Sequence, residues 1–459
     1  MTLKQAIPDL RDRFTGRVMG PEDEGYEEAR TVVAGDVDKR PAVIVRPTDA
    51  EDVARVIALA RETGLDLAVR SGGHSGAGHS ATEGGIVLDL RAMKGLEIDV
   101  KGRTAWAEAG LTAGEYTAAA GGYGLATPFG DTGTVGIGGI TLAGGIGLLV
   151  RRYGMTIDSL LAAEIVTADD QLLRVDEEHH PDLFWAIRGG GGNFGVVTRF
   201  LFRLHPVDRV MGGMLLLPAT AEVVAGFIVE AERAPEELST IANVMPAPPM
   251  PFVPEERHGE LVVLALMVHA GDVGEGERAV APFRSLAEPV ADLLRPMPYP
   301  EMFPPEQEEY RPTAIAQTML IQEVDAAAAE MIVERLEASD AAMRAAQLRV
   351  LGGAMARVPA DATAFAHRDA RIMGNLAAFY EGPGDRPRRQ AWVDEFTSAL
   401  RGEHRGAYVA FLGDEGEERV HDAYPAETWE RLSEVKARYD PTNLFRLNQN
   451  VPPAGATTT

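Results

Sequence analysis

Two histidines, His74 and His79, stand in the stretch "RSGGHSGAGHS" (70–80), otherwise almost all glycine and serine. The chain has only ten histidines in 459 residues. An imidazole in so bare a loop faces whatever the loop is shaped around: a metal, a phosphate-bearing cofactor, or nothing beyond a turn. Glycine lets main chain approach a ligand closely and admits positive φ at no steric cost. Zinc would need converging ligands, and two histidines five residues apart on a glycine loop converge poorly. There is no H-E-x-x-H and no cysteine, and "EEHHPD" (177–182) offers only adjacent histidines in an acidic turn. No metal is expected.

Two more glycine clusters follow, "GTVGIGGITLAGGIG" (133–147) and "GGGGNFG" (189–195). Glycine in regular structure costs roughly 0.5–1 kcal/mol per position relative to alanine. Main-chain N–H groups crowded around a pyrophosphate offset that cost, because they satisfy anionic oxygens without side chains. The third cluster contains G-x-G-x-x-G at Gly190, Gly192 and Gly195. It follows "PDLFWAIR", which is helical in character. No acidic residue stands about 20 positions later, where a ribose-binding carboxylate belongs, so it is not a Rossmann fingerprint. No P-loop motif is present.

The elements that must position these loops alternate in the first half. "PAVIVRP" (41–47) reads as a buried strand. Thr48 caps the next helix, with Glu51 completing a capping box. Val53, Val56, Ile57 and Ala60 form its apolar stripe and Gly64 stops it. "DLAVR" (66–70) is a strand that feeds directly into the histidine loop. "AEIVTADDQLLRV" (163–175) is a hairpin turning at Asp169–Asp170. From about 206 the pattern changes to long strands, "MGGMLLLPA", "LSTIANVMP", "ELVVLALMVH", "QLRVLGGAMARV" and "ARIMGNLAAFY". Helices such as "DAAAAEMIVERLEAS" separate them, which predicts an antiparallel sheet with helices on one face. "MPAPPMPFVPEER" (245–257) reads as a surface loop and "AGATTT" as a disordered tail.

Composition bounds the partners. The chain is 45% hydrophobic and 25% charged, with net charge −25. No basic stripe exists to release counterions, so neither nucleic acid nor an anionic membrane is an expected partner. Absence of cysteine excludes disulfides, thiolate metal sites and cysteinyl cofactor links. The first residues show no apolar signal region, and "GGITLAGGIGLLV" (138–150) is too short and glycine-rich to span a bilayer. A cytoplasmic protein, monomer or homodimer, is the expectation.

With these motifs in order, the chain resembles the berberine-bridge-enzyme-like branch of the vanillyl-alcohol oxidase / p-cresol methylhydroxylase flavoproteins. The resemblance rests on "RSGGHS", "TVGIGGITLAGGIGLLVRRYGMTIDSLLAAEIVTADD", "DLFWAIRGGGGNFGVVTRFLFRLHP", "AFAHRDAR" and "VKARYDPTNLFRLNQNVPP". It runs from about 35 to 453. It implies an α+β fold: a PCMH-type FAD-binding domain of two α/β subdomains (1–205), a substrate domain with an antiparallel sheet covered by helices (206–412), and a C-terminal segment returning to the FAD domain (413–459).

The resemblance also implies roles. His74 falls on the family's covalent anchor to the 8α-methyl of FAD. Arg70, Ser71, Gly72, Gly73, Ser75 and Gly78 belong to its loop, while His79 matches no anchor. Thr132 stands where some relatives carry a second, cysteinyl link, so a single covalent bond is expected. Val135, Gly138, Gly139, Thr141 and Gly144 fall on the second flavin-cradling segment, and Gly192, Gly195 and Val197 on the adenine side. Asn448 and Asn450 fall where the terminus returns to the flavin. Ile140 replaces a frequent family histidine. Gly130 occupies the oxygen-gatekeeper position and should leave space for O₂. Relatives place a base on substrate-domain strands; here Asn375 is the polar candidate near that spot. Tyr408 matches a family tyrosine that could act as, or orient, a base; Ala410 replaces a family asparagine.

The implied reaction is hydride transfer from a small alcohol, sugar, amine or secondary metabolite to flavin N5, with O₂ reduced to H₂O₂. A dehydrogenase with another acceptor and a non-catalytic flavin-binding protein are the alternatives.

Overall fold

The structure is a computed structural model that describes residues 10–304 and 311–455. The readings made for the first nine residues and for 456–459 lie outside them. The chain opens on a four-stranded sheet in the order Arg17–Met19, Val43–Arg46, Ile86–Asp89, Leu67–Arg70. The last three are parallel and the first is antiparallel to its neighbour. "VIV" and "IVLD" are buried residue after residue, as a parallel sheet covered on both faces requires. The connecting helix, Ala50–Thr63, buries Val53, Val56, Ile57, Leu59 and Ala60, and stops at Gly64 with φ 67°.

The cap of that helix differs from the sequence expectation. Asp49, not Thr48, is the N-cap; it is extended, and its carboxylate accepts from the Asp52 N–H at 2.8 Å. Glu51 then falls one residue short of the box position. A carboxylate also suits the positive end of the helix.

A five-stranded antiparallel sheet follows, in the order Leu96–Asp99, Thr104–Glu108, Val196–Arg203, Leu160–Val166, Leu172–Val175. The last two strands are the expected hairpin, with Asp170 at φ 62° in its turn. These two sheets share one core with residues from the C-terminal segment, among them Val420, Tyr424, Leu432 and Phe445.

The second half builds an eight-stranded antiparallel sheet. Its main path is Ala291–Asp292, Arg209–Pro218, Leu261–His269, Leu238–Pro246, Arg344–Val350, Ile372–Phe379, Ala314–Ile321. Alternation decides its faces. In Arg344–Val350, Ala346, Leu348 and Val350 join the core formed with helices Ala221–Arg233, Ala326–Ala338 and Arg386–Arg401. Gln347 and Arg349 point the other way, and Arg349 meets Ile146 and Asp131 of the first half of the chain. This strand is shorter than "QLRVLGGAMARV" suggested. Gly352 and Gly353 have positive φ, which ends pairing, and Ala354–Arg357 forms a helical turn.

Buried arginines join the two halves. Arg368 holds Asp158 through two hydrogen bonds of 2.8 Å. Arg151 donates to the carbonyls of Ala231, Ala234 and Leu238. The C-terminal helix, Ala426–Tyr439, carries Lys436, which pairs at 2.6 Å with Asp440 just past the helix end, both side chains fully buried. Lys436 also donates to the Asn193 and Phe445 carbonyls, and Asp440 accepts from the Leu444 and Phe445 N–H groups. Burial lowers the Lys436 pKa, and Asp440 opposes that shift. Removing one partner leaves the other charge buried without its counter-ion. Asp440→Ala should therefore destabilise the protein by about 3–5 kcal/mol, read as a lower midpoint in denaturant unfolding.

Candidate cofactor and substrate cavity

Strand Leu67–Arg70 delivers the 71–80 loop at the carboxyl end of the parallel sheet, where such sheets bind ligands. Across from it runs the segment around helix Ile137–Ala143. The two main chains touch. A Cβ on Gly72 would overlap the Gly136 nitrogen, and one on Gly136 would overlap Gly72 N and Ser71 Oγ. Ser71 Oγ donates to the Ala109 carbonyl at 2.6 Å and accepts from the Gly138 N–H at 3.2 Å. These glycines answer to the packing of main chain on main chain.

The loops line one cavity of about 520 Å³. Ser71, Gly72, Gly73, His74 and Ser75 form one wall; Gly130, Thr132, Val135, Gly138 and Gly139 form the next. Gly192, Gly195 and Val197 close one side, and Asn448 closes another. Asn375 and Tyr408 face it from the second half of the chain. Helix Pro181–Ala186 precedes the 189–195 cluster and strand Val196–Arg203 follows it, the reverse of the Rossmann order.

Several expected site residues lie elsewhere. Arg70 is 1% exposed and spends its guanidinium on the carbonyls of Ala29, Arg30 and Ser80, so it braces the loop from behind. Burial lowers its pKa to about 10. Gly78 has φ 69° and packs on Val37, outside the cavity. Thr141 is fully buried in its helix, with no partner for its hydroxyl among the described residues. Gly144 packs against Met155 and the Tyr408 ring. Asn450 lines a neighbouring cavity that also touches His79 and Asn448. His79, given no role from sequence, lines both cavities, and burial lowers its pKa to about 4.

Tyr408 does not suit proton abstraction. Its hydroxyl accepts from the Gly145 N–H at 2.8 Å, and burial pushes its pKa up to about 12. It ties the cradle segment to the second half. Beside Gly130 the end of the Ile140 side chain already sits within contact of any added Cβ, so the space there is narrower than a glycine alone implies.

Three polar groups on the cavity were missed from sequence. Asp131, next to Gly130, pairs with Arg349 at 2.8 Å. Arg349 also donates to Gln347 Oε1 at 2.9 Å and the Ile146 carbonyl at 3.0 Å, with its guanidinium 5.2 Å from the Phe411 ring. Gln347 in turn donates to Asn243 Oδ1 at 2.9 Å and is in register with Asn375. The available signal was period-two alternation in "AQLRV", which sets Gln347 and Arg349 on the face opposite the helices.

FAD fits the residues present. One end of the cavity offers main-chain amides without intruding side chains, and Val135, Ile140 and Val197 supply apolar flanks. The buried amide oxygens of Asn375 and Asn448 find no partner among the described residues.

This architecture, two α/β lobes holding a glycine-walled cavity against a helix-backed antiparallel sheet, is that of the PCMH-type flavoproteins. The FAD binding domain family matches residues 41–176, and the family described as berberine and berberine like matches 407–452. The chain is 32% identical over 459 residues to (R)-6-hydroxynicotine oxidase of Paenarthrobacter nicotinovorans, covering 96% of this chain and 97% of that one. It is 30% identical over 458 residues to the FAD-linked oxidoreductase YgaK of Bacillus subtilis (strain 168), covering 96% and 98%. The crystal structure of 6-hydroxy-D-nicotine oxidase from Arthrobacter nicotinovorans superposes with a TM-score of 0.85 at 29% identity, covering 95% of this chain and 98% of that one. The chain belongs to the berberine-bridge-enzyme-like family of FAD-linked oxidoreductases.

Gly136→Ala tests the cradle. The added methyl must push the 71–73 loop away, so the variant should lose about 1–3 kcal/mol of stability. It should also purify with less flavin, read from the visible-to-ultraviolet absorbance ratio. Tyr408→Phe leaves the Gly145 N–H without its acceptor and should cost about 1–3 kcal/mol in thermal unfolding.

Proposed function

We propose that this chain is an FAD-dependent oxidase whose flavin is bonded to His74, acting on a small alcohol, amine, sugar or secondary metabolite. The observation that carries the reading is the position of His74: half-buried on the wall of the glycine-lined cavity, flanked by Gly73 and Ser75. Bound FAD supplies two-electron chemistry, accepting hydride from carbon and passing the electrons to O₂ as H₂O₂. Ser71, Gly72, Gly73, Ser75, Gly138 and Gly139 would hold its phosphates through main-chain and hydroxyl donors, and Asn448 would meet its polar edge. Thr132 has no thiol, so His74 is the single covalent link. Tyr408 keeps the cradle in place, and Asn375 offers an amide to the substrate. The name of the Paenarthrobacter relative supports an oxidase and, within the class, an amine substrate.

Acid precipitation tests the link. Wild-type protein should give a yellow pellet, and His74→Ala a colourless pellet while remaining folded by circular dichroism. In-gel flavin fluorescence persisting in the variant would refute the assignment.

The acceptor is tested at Gly130. Gly130→Leu, which must displace Ile140, should slow stopped-flow reoxidation of reduced enzyme by about tenfold or more, leaving anaerobic reduction little changed. The contact of Ile140 with this position favours the dehydrogenase reading, and wild-type protein that O₂ fails to reoxidise would establish it.

A further inference from the structure

The cavity holds one carboxylate among its described lining residues, Asp131, and nothing so far gives it a task. It belongs to the cradle segment, between Gly130 and Thr132, yet its partner Arg349 comes from the far sheet. Arg349 is already engaged. Its Nε, Nη1 and Nη2 each donate once, to Gln347, the Ile146 carbonyl and Asp131, and its charge is paired with the Asp131 carboxylate. Gln347 spends its amide N–H on Asn243 and its oxygen on Arg349. The carboxylate is not saturated. Oδ2 takes Arg349, while among the described residues Oδ1 receives only a long 3.4 Å contact from the Thr132 hydroxyl. The Asp131 side chain is 18% exposed, against 4% for Arg349, so an approach is open on the cavity side.

We propose that Asp131 is the proton acceptor of this site, and that the substrate is an alcohol or amine presenting O–H or N–H to Asp131 Oδ1. The proposal rests on the flavin reading above. The substrate C–H bond breaks with its electron pair leaving as hydride to the flavin. The O–H or N–H proton passes to Asp131 Oδ1, and a C=O or C=N bond forms. Asp131 then returns the proton to water. Arg349 offsets the charge of a partly buried carboxylate and fixes its plane. The neighbouring phenols do not compete. Tyr408 and Tyr299 are held protonated by burial. A carboxylate there disfavours an anionic substrate, because the charge of Arg349 is already paired with it.

The test uses purified holoenzyme and three probes of one size: benzylamine, benzyl alcohol and benzoate. Binding is read from perturbation of the flavin absorbance. Benzylamine should bind at least about tenfold more tightly than benzoate, and Asp131→Asn should erase that preference. The alcohols and amines that bleach the flavin anaerobically should do so about 100-fold more slowly in Asp131→Asn, at unchanged flavin content. Added formate should partly restore the rate in Asp131→Ala. Benzoate binding to wild type as tightly as benzylamine overturns the proposal, whether or not the variants fold. So does anaerobic reduction of Asp131→Asn within threefold of wild type. Wild-type protein that purifies colourless and takes up no FAD defeats the flavin reading instead, a result distinct from either.

Discussion

The structure depends on a near-contact of main chain with main chain. Residues 71–73 and 134–138 pass so closely that neither Gly72 nor Gly136 has room for a methyl group. The first segment leaves the carboxyl end of a parallel strand, and the second enters a short helix. Pressing them together, with Ser71 Oγ bridging to Gly138 N–H and the Ala109 carbonyl, makes a wall whose polar groups are amides. A larger residue at either glycine would be satisfied only by moving the loop that carries His74. The cavity exists in this form because the chain gives up side chains there.

A second tie fixes the other side. Asn193 donates to the carbonyls of Gly190 and Gln449 and accepts from the Val451 N–H. Lys436 donates to the Asn193 carbonyl and pairs with Asp440. The C-terminal stretch at Gln449 and Val451 is thereby stitched to the 189–195 glycine loop, far away in sequence. The amide of Asn448 meets the cavity because this stitching holds its main chain.

The antiparallel sheet closes the third side, and its helices leave it no choice of face. Apolar residues at alternate positions must meet the helices, so Gln347, Arg349 and Asn375 are delivered to the cavity. Arg349 then reaches Asp131, Arg368 reaches Asp158 and Arg151 reaches three carbonyls, so the halves meet through buried, directional contacts. Such contacts hold a fixed separation between cradle and sheet.

By itself the sequence determined what local rules determine. Alternation and apolar runs gave the strands, Gly64 and the Asp169–Asp170 turn gave element ends, and the density of glycine gave loops that a dinucleotide could approach. The ordered motifs pointed to the family and to FAD. Where the rule was finer the reading slipped: Thr48 and Asp49 are both good caps, and only the backbone angles chose Asp49. Membership of a motif also said nothing about direction. Arg70, Gly78 and Thr141 sit within the motifs yet face away from the cavity, because the main chain turns between neighbours. Tertiary structure alone decided which polar groups meet across 218 residues, as Asp131 and Arg349 do. It also decided that Tyr408 is buried and already holding the Gly145 N–H, since burial and partnership belong to the packed chain and to no residue type.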